Sequence, residues 1–279
     1  MTYTTYRAEE AYLRRHADGR KNGVFVEAPS KDGNGTVPGL RWERGPFRFE
    51  GFYSDAEPVP DPFGPRRLVV WQPLRRDVKR AKGWWRFPLP VNVRRTGYAE
   101  ITDPQFYWKN WNENVRRQRA KWLKQDILSI EPVSADEYIA AYREAKPWFH
   151  MRDLFVTAIR ERLVQHRGLL HLFGARERAT GKLRAGFAVL DVPEAGASIH
   201  LTSFYDFTFA RTGVGTGLVD AWFRHAVAHG IRFLDFDIFW VKGEPREWKG
   251  FSTFKSQFGT KFVDYPLPLL AIVGGRRKR

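Results

Sequence analysis

The sequence predicts a mixed α/β fold, and three observations carry that reading. The composition is 43% hydrophobic and 15% aromatic, enough to bury a core and too apolar for a disordered chain. From Ser134 onward the pattern runs helix, helix, three strands, helix, strand, helix, strand, which sets a crossover helix on a sheet. Between Gly23 and Val93, short apolar runs alternate with Gly and Pro punctuation, the mark of strands and tight connections. A chain of 279 residues holds one large domain or two ordinary ones, and a break near 130 divides it into 1–130 and 131–279.

Ala8–His16 reads as a short helix stopped at Asp18 and Gly19. Strands are expected at Val24–Glu27, Arg48–Tyr53, Leu68–Gln72 and Trp84–Leu89. Between them Ala56–Pro65 is too proline-rich for a helix or a central strand. Asp103 and Pro104 form a helix start, cap then first position, for a helix to about Gln125. Its Phe106, Trp111, Val115 and Trp122 are available for burial, with Arg116, Arg117, Arg119, Lys121 and Lys124 outward.

Ile127–Val133 reads as a strand, and Ser134 with Glu137 makes a capping box for helix 135–145. A second helix, Arg152–His166, stops at Gly168. Strands Leu169–Arg176, Leu183–Asp191 and Ser198–Phe209 follow. A Gly-rich turn at Gly213 then opens helix Leu218–His229, ended by Gly230. Strand Ile231–Phe236, helix Pro245–Phe258 and strand Phe262–Val273 complete the chain.

The formal charge is +16, shared between the halves as +10 over 1–130 and +6 over 131–279. Ten basic residues face one acid, Asp77, between Pro65 and Arg95, and the chain closes on Arg276–Arg279. Such an excess attracts polyanions: RNA, anionic lipid head groups or a nucleotide-linked substrate. The chain has no Cys, which excludes disulfides, thiolate zinc sites and a thiol nucleophile and suits a reducing cytoplasm. No apolar run approaches the ~20 residues of a membrane span, and the N-terminus lacks a signal pattern. A soluble protein is expected, at most peripheral to a membrane.

Gly213-Val214-Gly215-Thr216-Gly217, preceded by Arg211, is a turn whose backbone N–H groups suit an anion. It lacks the Gly-Lys-Ser/Thr of a phosphate loop and comes too late for a dinucleotide fingerprint. It is similar to the acyl-CoA pyrophosphate turn of GNAT acyltransferases, which implies CoA binding by Arg211 and Gly213–Gly217. The family's Gln or Arg three positions before the first Gly is Ala210 here.

Phe254-Lys255-Ser256-Gln257-Phe258-Gly259, followed by Val263-Asp264-Tyr265, resembles the Phe-Lys-x-x-Phe-Gly signature of the Fem family. Ala226–Phe236 resembles that family's Ala-x-x-x-Gly-x-x-x-x-Asp-Phe block, and Asn114–Lys121 its Arg-rich helix joining two halves. The early helix followed by Gly23-Val24-Phe25-Val26 is similar to its opening segment. The resemblance covers most of the chain, most closely over 215–265. One departure is Asp237, where the family usually has Gly, and there is no room for a long coiled-coil arm.

The resemblance implies two tandem GNAT-like domains, the N-terminal one ending in the basic helix. It implies an aminoacyltransferase that takes its group from aminoacyl-tRNA and passes it to an amine of a peptidoglycan precursor, lipid-linked or nucleotide-linked. The place implied is the cytoplasm, with peripheral contact at the inner face of an anionic membrane. Lys255 is the leading catalytic candidate, because a fixed ammonium stabilises the charge that develops on a carbonyl oxygen and a leaving hydroxyl. Its neighbours Phe254 and Phe258 should pin that turn to the core. Tyr205, Asp206, Asp235 and Asp237 are candidate proton acceptors, with Asp235 and Asp237 on one strand face.

Two alternatives stand beside this reading. One is an N-acyltransferase using acyl-CoA as cofactor; the other is a non-catalytic pair of such domains that binds RNA or anionic membrane. No metal is assigned: His225 and His229 have helical spacing, but no Glu lies between them and no Cys or acidic cluster nearby completes a site. A serine nucleophile has no Gly-x-Ser-x-Gly support. Trp84 and Trp85, amid Lys79, Arg80, Lys82 and Arg86, read as a core strand with a basic rim or as a base-stacking or membrane-facing patch.

Overall fold

The computed structural model describes residues 23–44, 46–74, 78, 81–86, 94–146, 152–246 and 248–275. The expected helix at 8–16, the basic tail 276–279 and the strand expectation over 87–89 lie outside them. The chain forms two compact units. The first comprises 1–96, 238–246 and 263–279, and the second 97–237 and 247–262. These units do not divide the chain at 130. Residues 97–130 go with the second unit, and the C-terminal strand pairs back into the first.

In the first unit, strands β1 (Val24–Pro29), β2 (Thr36–Arg44), β3 (Phe47–Ser54), β4 (Arg67–Pro73), β5 (Trp85–Arg86) and β13 (Leu269–Val273) form one sheet. Its order is β1-β2-β3-β4-β13-β5. Only β3 and β4 run parallel among the pairings described, and the proline-rich stretch 56–65 supplies the long crossover that parallel strands need. Phe52, Val69, Trp71 and Leu269 build the core, and Glu50 is buried with Arg67 as its ion-pair partner. The Trp84–Trp85 pair divides. Trp84 packs edge-on against Trp71 and donates to Glu57, while Trp85 is exposed.

The second sheet is built from β6 (Arg95–Glu100), β7 (Leu128–Pro132), β8 (Leu170–Glu177), β9 (Leu183–Val192), β10 (Ala197–Tyr205), β11 (Phe233–Ile238) and β12 (Lys261–Asp264). Its order is β12-β6-β11-β10-β9-β8-β7. The helices are α1 (Glu113–Trp122), α2 (Ala135–Ala145), α3 (Arg152–Gln165), α4 (Val214–Ala228) and α5 (Trp248–Lys255).

Strand β9 shows why the sheet is covered on both faces. Nearly every residue of it is buried, so it reads as a continuous apolar run and not as an alternating one. Ala188 and Leu190 join the cluster of α2 and α3 around Tyr138, Tyr142 and Ile159. Phe187 and Asp191, of the opposite parity, meet Trp222 and His225 of α4.

Several expected boundaries move. Asp103 caps only a turn, accepting from the Gln105 and Phe106 amides; the helix itself starts after Asn112, which caps it. A 3-10 turn at Tyr107–Asn110 fills the gap, and Phe106 is left partly exposed. Arg119 is not an outward residue: its guanidinium pairs with the fully buried carboxylate of Asp220, which Tyr107 also bonds at 2.8 Å. Burial, with Asp220 beside it, pushes the Tyr107 hydroxyl up to about 12. The expected strand 262–273 is two strands in different sheets, separated across Pro266 and Pro268. Strands β2 and β6 were not anticipated, since Pro38, Gly39 and several charges interrupt their patterns. No helix among the described residues is long and apolar enough to cross a membrane.

Candidate active site

Strands β10 and β11 run parallel, and their ladder pairs Ala197, Ser198 and Ile199 with Phe233, Leu234 and Asp235. Just past it β10 carries a bulge: His200 still faces Val189, but Thr202 faces Ala188, leaving Leu201 as the extra residue. A bulge bends its strand and re-aims the side chains around it. On β11 the chain likewise leaves regular geometry, because Asp237 has φ +61°.

Lys255 reaches this point. Its Nζ donates to the Phe236 carbonyl at 2.6 Å and lies 4.9 Å from the centre of the Phe251 ring. The helix that carries it is fixed in several ways. Phe258 is 1% exposed, stacks on Phe236 and meets Trp111 and Phe254 edge-on. The Gln257 carbonyl accepts from the Asn112 amide at 2.7 Å, and the Gln257 side chain accepts from Asn114. The two phenylalanines flanking Lys255 do hold that turn against the core.

His200, which the sequence reading passed over, is the second polar group at this place. Its Nε2 is buried without a hydrogen-bond partner, and its ring stacks on Phe187 at 4.4 Å. Burial pushes its pKa well below the ordinary histidine value, the positive charge of Lys255 pushes the same way, and a hydrogen bond to the Thr202 backbone opposes them. The imidazole is therefore neutral at pH 7, with its buried Nε2 unpartnered. A lone histidine inside a β-strand pattern gives no local signal of this. The bulge that places it is visible only in the pairing.

The four acidic and phenolic candidates separate. Asp235 is fully buried, and its carboxylate accepts from the Asp237 amide at 2.6 Å. It thereby holds the left-handed turn at Asp237, a conformation that Asp tolerates better than most residues. A positive φ suits Gly best, so Asp237, the departure noted in the sequence, occupies a backbone position at which Gly would be unstrained. Asp206 caps the 3-10 turn Phe207–Thr212, accepting from the amide and the hydroxyl of Thr208, and pairs with Arg184. Those Thr208 bonds hold its pKa below the usual carboxylate value. Tyr205 is 40% exposed and packs its ring at a tilt against Phe207. Among the described contacts, neither Tyr205 nor Asp206 meets Lys255.

The glycine turn is not an open loop. Gly213, at φ +80°, is the cap of α4, so Val214, Gly215, Thr216 and Gly217 form its first turn. A Cβ on Gly217 would collide with the Trp122 indole, and one on Gly215 would lie 3.3 Å from Phe254. At Gly213 the Gln118 carbonyl would stand 3.2 Å from a Cβ. Val214 and Thr216 are buried as well, while Arg211 is exposed with its carbonyl bonded to Lys121. The glycines thus let α1 and α5 pack closely on this end of α4. On the outer side of α1, Arg117, Ala120, Lys121, Lys124 and Gln125 line a shallow surface depression.

No protein-family model matches the sequence, and no curated protein matches it. Solved structures do. FemX superposes with a TM-score of 0.66 at 12% identity, over 96% of this chain and 92% of FemX. The C-terminal domain of a putative lysylphosphatidylglycerol synthetase from Agrobacterium fabrum gives 0.57 at 15% identity, over 98% and 92%. A tandem GNAT protein from the clavulanic acid biosynthesis pathway gives 0.54 at 13%, over 88% and 82%. The chain therefore has the FemX-like, tandem GNAT fold, with mixed α/β architecture and two sheet-bearing units, as the sequence predicts.

Proposed function

We propose that the protein is a Fem-like N-acyltransferase that moves an aminoacyl group from aminoacyl-tRNA to an amine of a peptidoglycan precursor peptide. The observation that carries this reading is the Lys255 ammonium held on the Phe236 carbonyl, whose charge acts on the buried, unpartnered Nε2 of His200 just past the β10–β11 ladder. In the reaction the acceptor amine attacks the ester carbonyl, a C–N bond forms, and the C–O bond to the tRNA ribose breaks. Negative charge grows on the carbonyl oxygen and then on the ribose oxygen. The Lys255 ammonium, fixed by α5 before substrate arrives, stabilises both. His200 Nε2 takes the proton released by the amine and returns it to the ribose oxygen as the C–O bond breaks. No further co-reactant is needed.

Two features support a polyanionic, aminoacyl donor. Arg116, Arg117 and Lys121 face solvent along α1 and Lys124 just past its end, and basic side chains of this kind engage nucleic acid through its phosphates. One structural neighbour is named for a lysyl-lipid product, which is itself an aminoacyl transfer. Acyl-CoA is the less favoured donor, because the glycines that resemble its pyrophosphate turn are engaged in packing against Trp122, Gln118 and Phe254. An acceptor presented on lipid would bring the protein to the inner membrane face. The direct test offers charged tRNA or acyl-CoA with a precursor peptide and reads the acceptor by mass spectrometry. A shift with tRNA alone supports the proposal, a shift with acyl-CoA alone replaces the donor, and no shift with either removes the enzyme reading.

A further inference from the structure

We propose that His171, Asp191 and His225 form a binding site for a divalent transition-metal cation of the zinc class, clamped between β8, β9 and α4. His171 Nε2 and His225 Nε2 both aim at one oxygen, Asp191 Oδ2, at 3.1 and 2.8 Å. The three ligand atoms all lie within 4.8 Å of one another. A tetrahedral zinc ion with bonds of about 2.0–2.1 Å sets its ligand atoms roughly 3.3 Å apart, so each Nε2 need move only a few tenths of an ångström from Asp191 Oδ2, with rotation of the two rings setting the distance between them. The cation would take the place of the two Nε2···Oδ2 contacts, each bound imidazole carrying its single proton on Nδ1 and any further proton passing to solvent.

The donor set selects the class of ion. Two imidazoles and one carboxylate suit Zn, Co, Ni or Cu over Mg or Ca, which prefer all-oxygen sites. The ligands are also preplaced. Asp191 is 4% exposed and its amide is tied to the Leu169 carbonyl. The His171 and His225 rings lie 4.1 Å apart. The His171 side chain is 27% exposed, which leaves a route for the ion and a place for water as a fourth ligand. His229, one turn further along α4, bonds the His225 carbonyl through Nδ1 and stands outside the set of three. Such an ion would lock the last turns of α4 to the sheet, and it requires nothing of the proposed acyl transfer.

The test uses the full untagged chain, stripped of metal with a chelator and titrated with Zn²⁺ and with Co²⁺. One equivalent should bind, Co²⁺ should give the visible spectrum of a four-coordinate complex, and Zn²⁺ should raise the melting temperature. His171→Ala and His225→Ala should each weaken binding by at least about 10-fold and remove the thermal shift, while His229→Ala should keep both. His171→Ala is the decisive variant, since its site is partly exposed and the fold should survive it. Absence of one-equivalent binding would overturn the site. Unchanged binding in His171→Ala, or loss in His229→Ala alone, would do the same, leaving the three groups as a hydrogen-bonded cluster.

Discussion

His171 and His200 stand in one row of the second sheet, both paired across Val189 of β9, yet they meet opposite surroundings. Two strand spacings separate them, roughly 10 Å. On one side His171 and His225 share the Asp191 carboxylate. On the other, His200 has a buried Nε2 with no partner and the Lys255 charge working against its protonation. The difference shows how one residue type serves two ends. Where a carboxylate is supplied, histidines hold elements together; where a partner is withheld near a fixed ammonium, a cost in stability remains, which the proposed transfer would put to use.

Substitutions at the two places should differ in sign. Asp191→Ala strips two imidazoles of their acceptor and should destabilise by about 3 kcal/mol, measured by denaturant unfolding. His200→Leu removes an orphaned polar atom, so stability should stay within about 1 kcal/mol of the parent or rise. The same variant should lose at least about 100-fold in transfer rate. A marked loss of stability in His200→Leu, with activity retained, would erase the contrast.

Packing above the row should matter next. Gly217→Ala forces the Trp122 indole away from α4, a shape change that typically costs about 1–3 kcal/mol. The matching change at Gly230, where nothing lies within 4 Å of a Cβ, meets only its φ of +66° and should cost about 1 kcal/mol.

The pH response should then separate the two places. His200 takes up its proton far more readily in the unfolded chain than in the folded one. The unfolded state therefore binds more protons once pH falls below about 6.5, and stability drops as pH falls through that window. The limiting slope for one group is about 1.4 kcal/mol per pH unit. His200→Leu should flatten the stability curve there without changing it at pH 8. The smallest effect belongs to Asp237→Gly, which relieves a positive φ and should change stability by no more than about 1 kcal/mol.

Local signals in the chain were read well, and contacts made over long distances were not. Ser134 caps α2 by accepting from the Glu137 amide, as its spacing implies, and α2 spans the expected residues. Phe254 and Phe258 also pack on either side of Lys255 as their spacing suggests, although the expected helix Pro245–Phe258 is shorter, α5 ending at Lys255. By contrast, Arg119 looked solvent-facing because Asp220 is 101 residues away. The Gly213–Gly217 run looked like an anion loop because nothing local reveals that Trp122 packs against it. His225 showed only its spacing to His229, while Asp191 and His171 arrive from separate strands. His200 owes its position to a register shift, which no single-strand pattern records.

The central claim is that Lys255, not the glycine turn, carries the transfer. The decisive measurement is mass spectrometry of a peptidoglycan precursor peptide after incubation with charged tRNA and either wild-type protein or Lys255→Ala. The expected result is an aminoacyl mass increment with wild type and a loss of about 100-fold or more in rate with the variant, which should still unfold cooperatively. A Lys255→Ala protein that transfers at close to the wild-type rate would contradict it.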